Sequence, residues 1–315
     1  MNKKVAAIMA VLLVAIVGVF SIGMKKDKKT DTAENTTITV TDSNGEEVKL
    51  TKNPERVVVF DYGVADILNT MDVEIVGLPK DSALPEVISV YSDDKYANVG
   101  GLKEPDLEAV EALNPDLIII GGRQADFVED LEKIAPTVNL AVDGQNYLKS
   151  FENTVTVLGQ VFDKEDIASE SIAKVQSKIE ELNKEITSRN LNASTILTSE
   201  GNISLFSGQS RFGMIYNELG FANVDNNIEA SNHGQQISFE YFAENKPEYI
   251  FVVDKGAVTG KGESAQALLD NEIMNNTDAA KNNKIIYLNS EVWYTVAGGV
   301  DSTMAMLDEI AEAIK

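Results

Sequence analysis

Residues 163–190 read DKEDIASESIAKVQSKIEELNKEITSRN and contain neither glycine nor proline. Five apolar side chains in this stretch recur in steps of three and four residues: Ile172, Val175, Ile179, Leu182 and Ile186. The spacing predicts an α-helix with one apolar stripe, on the order of 40 Å long. Asp163 is expected to accept hydrogen bonds from the N–H groups of the first turn, and Arg189 lies near the end that favours a cation.

Strand-like runs alternate with helical patterns on both sides of this predicted helix. Strands are predicted at 56–60, 74–78, 117–120, 138–142, 195–198, 203–206, 249–253 and 284–288, with helices between them, among them 125–134. Short connections between such elements are typical of a mostly parallel sheet covered on both faces. We therefore expect an α/β protein with two lobes, residues 37–162 and 191–315, joined by one long helix, residues 163–190. A single domain with one long surface helix is the alternative.

Two segments, one on each side of the helix, resemble each other. Residues 106–123, DLEAVEALNPDLIIIGGR, align without a gap with residues 238–255, SFEYFAENKPEYIFVVDK. Each reads as a helix, a proline, a buried strand and then a cation, Arg123 or Lys255. If the segments are equivalent, these cations follow the carboxyl ends of corresponding strands, which is where open α/β sheets bind ligands.

The composition excludes several kinds of site. The chain has 315 residues, no cysteine and a single histidine, His233, so thiolate and multi-histidine metal sites are excluded. The net charge of −23 argues against nucleic acid as a partner, although a cleft can still be locally basic. The motifs GxSxG and GxGxxG and the P-loop are absent, so nothing in the sequence indicates an enzyme.

The N-terminal segment indicates export. Lys3 and Lys4 precede an uncharged run over residues 5–22, as in an export signal or a membrane anchor. The polar residues 24–36 are interpreted as a flexible linker. We therefore expect residues 1–23 to direct export and to hold the protein at or near the membrane, outside the cytoplasm.

Four loops contain residues that could bind a ligand. Arg211 lies in SGQSRFG, before a predicted helix, and Arg123 lies in GGRQ. Arginine suits oxyanions because it is a planar cation with several donors, although either residue could be an ordinary surface arginine. His233 in SNHGQ and the pair Trp293-Tyr294 in EVWYT lie in other loops. A lone loop histidine is most often a surface residue, and the Trp–Tyr pair could belong to the core or to a binding surface.

With these motifs, the chain from about residue 38 to residue 315 resembles the substrate-binding components of ABC importers for iron complexes. It is most similar to receptors for ferric catecholate siderophores, the petrobactin and enterobactin group. The resemblance implies the type III periplasmic-binding-protein fold, two lobes joined by a single long helix, with the ligand in the cleft between them. It implies a non-enzymatic receptor whose partners are an ABC permease and its ATPase.

The resemblance also implies roles for individual residues. Arg123 and Arg211 match two of the three cations that this group presents to the anionic iron complex. The third cation of the group is usually arginine, and this chain has Lys255 at that position. Lysine keeps the charge but lacks the planar fork of arginine. His233 and Tyr294 stand where the group has residues that can bind iron directly, and Trp293 is expected beside the pocket.

The chemistry of ferric iron agrees with these roles. Fe(III) is a hard ion that prefers oxyanions, and a tris-catecholate fills its six positions and leaves a −3 complex for the cations to neutralise. A bis-catecholate fills only four positions, so His233 and Tyr294 could supply the other two. The ferric siderophore is then the transported ligand, and no permanently bound cofactor is expected.

The chain departs from the family pattern at one position. Gram-positive members carry an acylated cysteine after the apolar run, but here Met24 follows Ser21-Ile22-Gly23. Lipid attachment to a cysteine is therefore excluded, while an uncleaved anchor, ordinary cleavage or an altered residue remain open. The resemblance also implies an acidic residue on each lobe that docks to the permease, for which Glu86 and Glu218 are candidates, and a monomer.

Other functions remain open at this point. Hydroxamate siderophores, heme or cobalamin are alternative ligands, since His233 or Tyr294 could serve as the axial ligand that heme requires. A membrane-anchored α/β hydrolase or transferase with scattered carboxylates is an alternative of another class, and a structural adhesin is a third.

Overall fold

The computed structural model describes residues 36–225, 227, 228, 231 and 233–315. The predicted signal or anchor segment, residues 1–23, and residues 24–35 of the predicted linker lie outside this part of the chain. Among the described residues, no helix combines the length and the apolar character needed to cross a membrane.

An antiparallel hairpin begins the described chain. Its strands are β1 (Thr37–Thr41) and β2 (Glu47–Thr51), and the turn between them contains Gly45 with φ +84°. At the tip, the Ser43 N–H donates to the Asn139 carbonyl at 2.8 Å, which fixes the hairpin to the first of two larger sheets.

The first large sheet is fully parallel, with strand order β5-β4-β3-β6-β7. Its strands are β3 (Val57–Val59), β4 (Gly77–Leu78), β5 (Ala97–Asn98), β6 (Leu117–Ile120) and β7 (Thr137–Asn139). The helices are α1 (Tyr62–Thr70), a 3₁₀ helix Glu86–Ser92, α2 (Leu107–Ala112), a 3₁₀ helix Gly122–Phe127, α3 (Val128–Leu131) and α4 (Tyr147–Val161). Because β3 and β6 are buried along their whole length, this sheet has the covered faces that the sequence predicted.

The predicted connecting helix is α5 (Glu165–Ser188), shorter by two residues at each end than expected. Its buried stripe includes Val175 and Ile179, as the spacing predicted. Asp163 does not cap the helix. Its φ is +53°, and its carboxylate instead accepts hydrogen bonds from Lys52 and Asn53 at the end of the hairpin.

The second large sheet is mixed, with order β11-β9-β8-β12-β13 and β10 paired to β8. Its strands are β8 (Asn192–Ser199), β9 (Asn202–Phe206), β10 (Ala222–Asn223), β11 (Gln235–Ile237), β12 (Tyr249–Asp254) and β13 (Ile285–Tyr287). The helices are α6 (Met214–Asn217), α7 (Glu240–Asn245), α8 (Lys255–Thr259), α9 (Ala265–Leu269), α10 (Glu272–Asn275) and α11 (Asp278–Lys281). Strands β10, β12 and β13 continue the parallel pattern from β8, whereas β9 and β11 are antiparallel additions at one edge.

The chain then returns to the first sheet through a π-helix, Glu291–Val296, and the terminal helix α12 (Val300–Ala313). Helix α12 packs on α1 and α5. Its first N–H groups are capped from α1, because the buried carboxylate of Asp66 accepts from the Ser302 N–H at 2.8 Å. A Cβ at Gly299 would overlap this carboxylate, so the close approach of the two helices requires glycine there. The chain therefore passes between the two sheets twice.

The two segments that resemble each other in sequence occupy equivalent positions. Strand β6 lies between β3 and β7, and β12 lies between β8 and β13, each after a short helix. One cluster of buried apolar side chains includes residues from both halves of the chain, among them Val59, Ile179 and Phe251. The two halves thus share a core, and the predicted equivalence is confirmed by the topology.

Candidate functional site

Arg123 lies on the first turn after a buried strand. It is in the 3₁₀ helix Gly122–Phe127 that directly follows β6. The Gln124 side chain fixes this turn, since its carbonyl accepts from the Gly121 N–H at 2.9 Å and its amide donates to the Leu102 carbonyl. The turn therefore holds the Arg123 backbone in one place, while its side chain is half-buried.

Arg211 lies in the loop that follows β9 in the other half of the protein. The Gly213 N–H donates to the Ser210 carbonyl at 2.9 Å, which closes the loop into a turn. Gly144, in the connection before α4, packs directly on the Arg211 main chain, where a Cβ would not fit. The loop with Arg211 thus lies against the first half of the chain.

The two arginines converge on one main-chain oxygen. The Tyr294 carbonyl accepts from Arg123 Nη2 at 2.7 Å and from Arg211 Nη2 at 3.2 Å. The Arg211 guanidinium also lies 4.4 Å from the centre of the Tyr294 ring, within the range of a cation–π contact. The structure therefore brings together three of the residues that the sequence singled out.

The positive charge of this pair is not neutralised by an ion pair. Among the described residues, neither arginine has a carboxylate oxygen within 4.0 Å. Burial lowers the pKa of Arg211 from its ordinary value; the nearby Tyr294 opposes this shift and the Arg123 charge adds to it. Arginine nevertheless stays protonated at neutral pH, so the site presents two adjacent positive charges.

The carboxylate of Asp61 is the negative charge that sequence reasoning missed. Asp61 caps α1, and a Cβ at Gly121 would overlap its Oδ2 atom. Burial raises the pKa of Asp61, while the Arg123 charge and the N–H groups of Val64 and Gly63 act in the opposite direction. Its position directly after a buried strand was the available signal, since side chains that follow such strands lie at the ligand-binding edge.

Trp293 does not line the site. Its side chain is 1% exposed, and its ring N–H donates to Glu309 at 2.7 Å. The indole lies 6.5 Å from the Phe212 ring, next to the loop with Arg211. Trp293 was expected to contact the ligand, and the structure corrects this: the side chain lies behind the site. Adjacent residues of a helix point in different directions, and here the Tyr294 side chain points outward whereas the Trp293 side chain points into the core.

His233 lies in an exposed turn that packs near the loop with Arg211. Its N–H donates to the Ser231 hydroxyl at 3.1 Å, and Gly234, with φ +72°, packs on Phe206. The Phe206 ring is in turn 4.9 Å from that of Phe212. The structure thus brings His233 to the same side of the second sheet, but gives no contact between His233 and Tyr294.

Lys255 is the first residue of α8, directly after β12. Helix α8 packs against the π-helix that contains Tyr294. In the part of the chain that the structure describes, the Lys255 ammonium has no hydrogen-bond or ion-pair partner, and the residue is half-buried. Phe206, the last residue of β9, pairs with Thr195 of β8, and Asp254, the last residue of β12, pairs with Thr198 of β8. The loops that follow β9 and β12 therefore begin roughly 10 Å apart, measured along β8.

The two docking candidates differ in exposure. Glu86 is exposed at the start of the 3₁₀ helix Glu86–Ser92, where Val90 is 49% exposed as well. Glu218 is half-buried, and its Oε1 accepts from the Leu148 N–H at 3.3 Å, at the start of α4. Burial raises the pKa of Glu218. Glu218 thus contacts α4 from the other half of the chain through Oε1, and its role in docking stays a prediction.

The donor set does not form a metal site of its own. Within the described ranges, no group of three or more His, Cys, Asp and Glu side chains could hold a metal ion. His233 and Tyr294 could therefore act only on an ion that arrives with most of its ligands. What the site offers chemically is a pair of cations for an anion, beside a phenol.

Comparison with known proteins identifies a family and relatives that the chain matches. The sequence pattern of the periplasmic binding protein family matches residues 57–292. The petrobactin-binding protein YclQ of Bacillus subtilis is 38% identical over 318 residues, which cover 99% of each chain. The ferric-anguibactin-binding protein FatB of Vibrio anguillarum is 29% identical over 83% of each chain.

Solved structures extend this similarity to the fold. The crystal structure of YclQ matches with a TM-score of 0.86 and 40% identity, over 89% of this chain and 99% of that one. The periplasmic catecholate-siderophore binding protein VctP of Vibrio cholerae matches with a TM-score of 0.83 and 32% identity, over 88% of this chain and 100% of that one. The described residues thus share the architecture of siderophore-binding proteins over nearly their whole length.

Proposed function

Because this chain belongs to the periplasmic binding protein family, we propose that it captures a ferric catecholate siderophore outside the cytoplasm and delivers it to an ABC importer. Like its relatives, the chain is a substrate-binding protein and not an enzyme. The ferric siderophore is its cargo and not a resident cofactor. The enzyme and adhesin alternatives are therefore set aside.

One observation carries the choice of ligand class. Arg123 and Arg211, which come from opposite halves of the chain, present two adjacent charges without a carboxylate partner among the described residues. Such a pair requires an anion to neutralise it, and planar guanidinium groups match catecholate oxygens. Neutral ferric hydroxamates would leave these charges unpaired. The names of the relatives YclQ and VctP agree with a catecholate.

Lys255 is part of the same proposal. Its ammonium, which has no partner among the described residues, lies on a helix that packs against the π-helix with Tyr294. A third cation at this position would balance the −3 charge of a ferric tris-catecholate. Because lysine lacks the planar fork, we expect Lys255 to contribute charge more than geometry.

His233 and Tyr294 are proposed to complete the coordination of a ferric bis-catecholate. The phenol of Tyr294 lies beside the arginines that would hold the anionic ligand, and the turn with His233 packs two aromatic rings away. A rearrangement of the exposed turn would be needed to bring the imidazole to the metal. Because His233 and Tyr294 lie in the same half of the chain, this rearrangement is local to the turn and is not a hinge motion of the two lobes.

The partners follow from the family. The protein acts outside the cytoplasm with an ABC permease and its ATPase. We further propose that residues 1–23 hold it at the membrane, that it works as a monomer, and that Glu86 contacts the permease, since this carboxylate is exposed whereas that of Glu218 is engaged.

The test uses the single tryptophan. Trp293 lies directly behind the site, and a coloured ferric complex bound near Tyr294 would quench its emission. Protein without residues 1–35 is titrated with ferric tris- and bis-catecholates, ferric hydroxamates, heme and cobalamin. Saturable quenching at low concentration by the catecholates alone is the expected result.

Two other results would contradict the proposal in different ways. Saturation with a hydroxamate, heme or cobalamin, and not with catecholates, would keep the family and replace the ligand. Silence with every complex would reject siderophore capture. Equilibrium dialysis of the ferric complex against the same protein provides a second readout that does not depend on the tryptophan.

A further inference from the structure

The Tyr294 carbonyl is available to the arginines because its helical partners are engaged elsewhere. In a continuing α- or π-helix this oxygen would accept from the N–H group four or five residues later, Gly298 or Gly299. The Gly298 N–H donates instead to the Tyr147 hydroxyl at 3.0 Å, and the Gly299 N–H donates to the Ser302 hydroxyl at 3.1 Å. The helix N–H groups therefore use neither lone pair of the Tyr294 carbonyl, and both lone pairs are available to the two guanidinium groups.

The Tyr147 hydroxyl is suited to hold the Gly298 N–H. Tyr147 is the first residue of α4, and its side chain is 3% exposed. Its hydroxyl lies 2.7 Å from that of Thr303, which itself donates to the Gly299 carbonyl. The Tyr147 O–H therefore donates to Thr303, and its oxygen accepts from Gly298. Every polar atom in this buried chain of hydrogen bonds has a partner.

The result is an organised pair of like charges. Each guanidinium carries five N–H groups, and each uses one on the Tyr294 carbonyl. Among the residues that the structure describes, the remaining donors have no hydrogen-bond partner, so they can bind a ligand. A neutral carbonyl holds the two cations side by side without cancelling their charge, which a carboxylate at this place would do.

We propose that Tyr147 is a positioning residue for the anion site, acting through the Gly298 N–H and the Tyr294 carbonyl on Arg123 and Arg211. The proposal rests on the proposed function for its ligand, but its mechanism concerns the protein alone. Loss of the Tyr147 hydroxyl leaves the Gly298 N–H without its acceptor. The Tyr294 carbonyl is the acceptor that a continuing α-helix would give this N–H, so we expect it to be drawn away from the arginines.

The first test needs no ligand. The chain has nine tyrosines, and only Tyr294 is followed by threonine. Protein labelled with ¹³C at tyrosine carbonyls and ¹⁵N in threonine therefore gives one doubly labelled peptide bond, whose carbonyl shift reports the hydrogen bonds that Tyr294 accepts. Tyr147→Phe is expected to move this resonance, as is the double variant Arg123→Ala/Arg211→Ala.

Tyr91→Phe is the matched control. Tyr91 is also buried and also donates its hydroxyl to a main-chain oxygen, that of Ala65, but on the 3₁₀ helix Glu86–Ser92. Its variant is expected to leave the Tyr294 resonance in place. An unmoved resonance in Tyr147→Phe would overturn the proposal, whatever the protein binds.

The second test measures affinity in two backgrounds. Tyr147→Phe is expected to weaken binding of a ferric tris-catecholate about tenfold, the effect of one charge-assisted hydrogen bond, and Tyr91→Phe by less than about twofold. In the Arg123→Ala/Arg211→Ala background, Tyr147→Phe is expected to have no further effect. An equal loss in both backgrounds would mean that Tyr147 only supports the fold.

The two proposals fail separately. If no ferric catecholate binds the unaltered protein, the proposed function is wrong, and the carbonyl resonance still decides the role of Tyr147. If catecholates bind and Tyr147→Phe binds them as tightly as the unaltered protein, the positioning role is wrong and the function stands.

Discussion

Single residues decide the affinity of this site, and the two arginines are expected to contribute most. Arg123→Ala and Arg211→Ala each remove a cation that no carboxylate among the described residues neutralises. Each is expected to lower the affinity for a ferric tris-catecholate at least about tenfold, measured by titration calorimetry. Arg189→Ala is the control, since Arg189 pairs with Glu185 on α5 instead. Equal losses in all three variants would contradict the cationic site.

Tyr294→Phe separates the phenol from the main chain. The variant keeps the carbonyl that holds both arginines and keeps a ring under Arg211, and it removes only the hydroxyl. Binding of a tris-catecholate, whose iron is saturated, is expected to stay within about twofold. The charge-transfer absorption of a bound ferric bis-catecholate is expected to shift in Tyr294→Phe, and the same is expected in His233→Ala. An unchanged spectrum in both variants would exclude direct ligation by these residues.

Between elements, the contact of α1 with the start of α12 is expected to be sensitive to pH. Burial is the main cause that raises the pKa of Asp66 from 3.8 to about 6, and the Ser302 N–H and hydroxyl act against it. The folded protein therefore binds this proton more tightly than the unfolded chain, so ionisation costs stability as pH rises from about 4 to 6. The Asp301 charge raises the pKa of Asp66 further, whereas the Asp301 N–H acts to lower it.

Asp66→Asn tests this expectation. The free energy of unfolding of the natural chain is expected to fall relative to that of the variant between pH 4 and 6, by up to about 3 kcal/mol. Above pH 6 the difference is expected to be constant. Urea unfolding at several pH values measures both chains. A difference that does not change with pH would show that Asp66 keeps an ordinary pKa in the folded state.

Several elements of this fold could be predicted from the sequence because they satisfy local rules. The apolar steps of α5 and the four apolar residues of β6 are sufficient to place these two elements. Short elements without such a pattern, such as β5, β10 and α8, were missed because tertiary contacts and not their own sequence stabilise them. The π-helix Glu291–Val296 was predicted only as a loop, since its register depends on hydrogen bonds made by the residues after it.

The main residues of the candidate site could be predicted from the sequence, but their arrangement could not. Loop composition and family resemblance identified Arg123, Arg211 and Tyr294, which the structure brings together. That they meet at a main-chain oxygen could not be predicted, because a carbonyl has no signature in sequence. Trp293 was misplaced for a related reason: residue type indicates what a side chain can bind, but not which way the fold turns it.

For the whole molecule, the shared core predicts one unfolding transition. The largest cluster of buried apolar side chains includes residues from both halves, and α12 packs on both α1 and α5. Differential scanning calorimetry of residues 36–315 is expected to show one cooperative peak. A ferric catecholate at 100 times its dissociation constant is expected to add about 2.7 kcal/mol to the free energy of unfolding. Two separate peaks, of which the ligand moves only one, would show that the halves unfold independently.

The paired arginines lie in a chain whose net charge is −23, and this contrast has a kinetic consequence. An anionic siderophore first meets the repulsion of the whole protein and is attracted only within the last few ångströms, at the two guanidinium groups. Salt screens the distant repulsion more completely than the half-buried contacts. Capture is therefore expected to become faster as ionic strength rises, the reverse of electrostatically steered association, while release also becomes faster. Stopped-flow quenching of Trp293 would measure both rates.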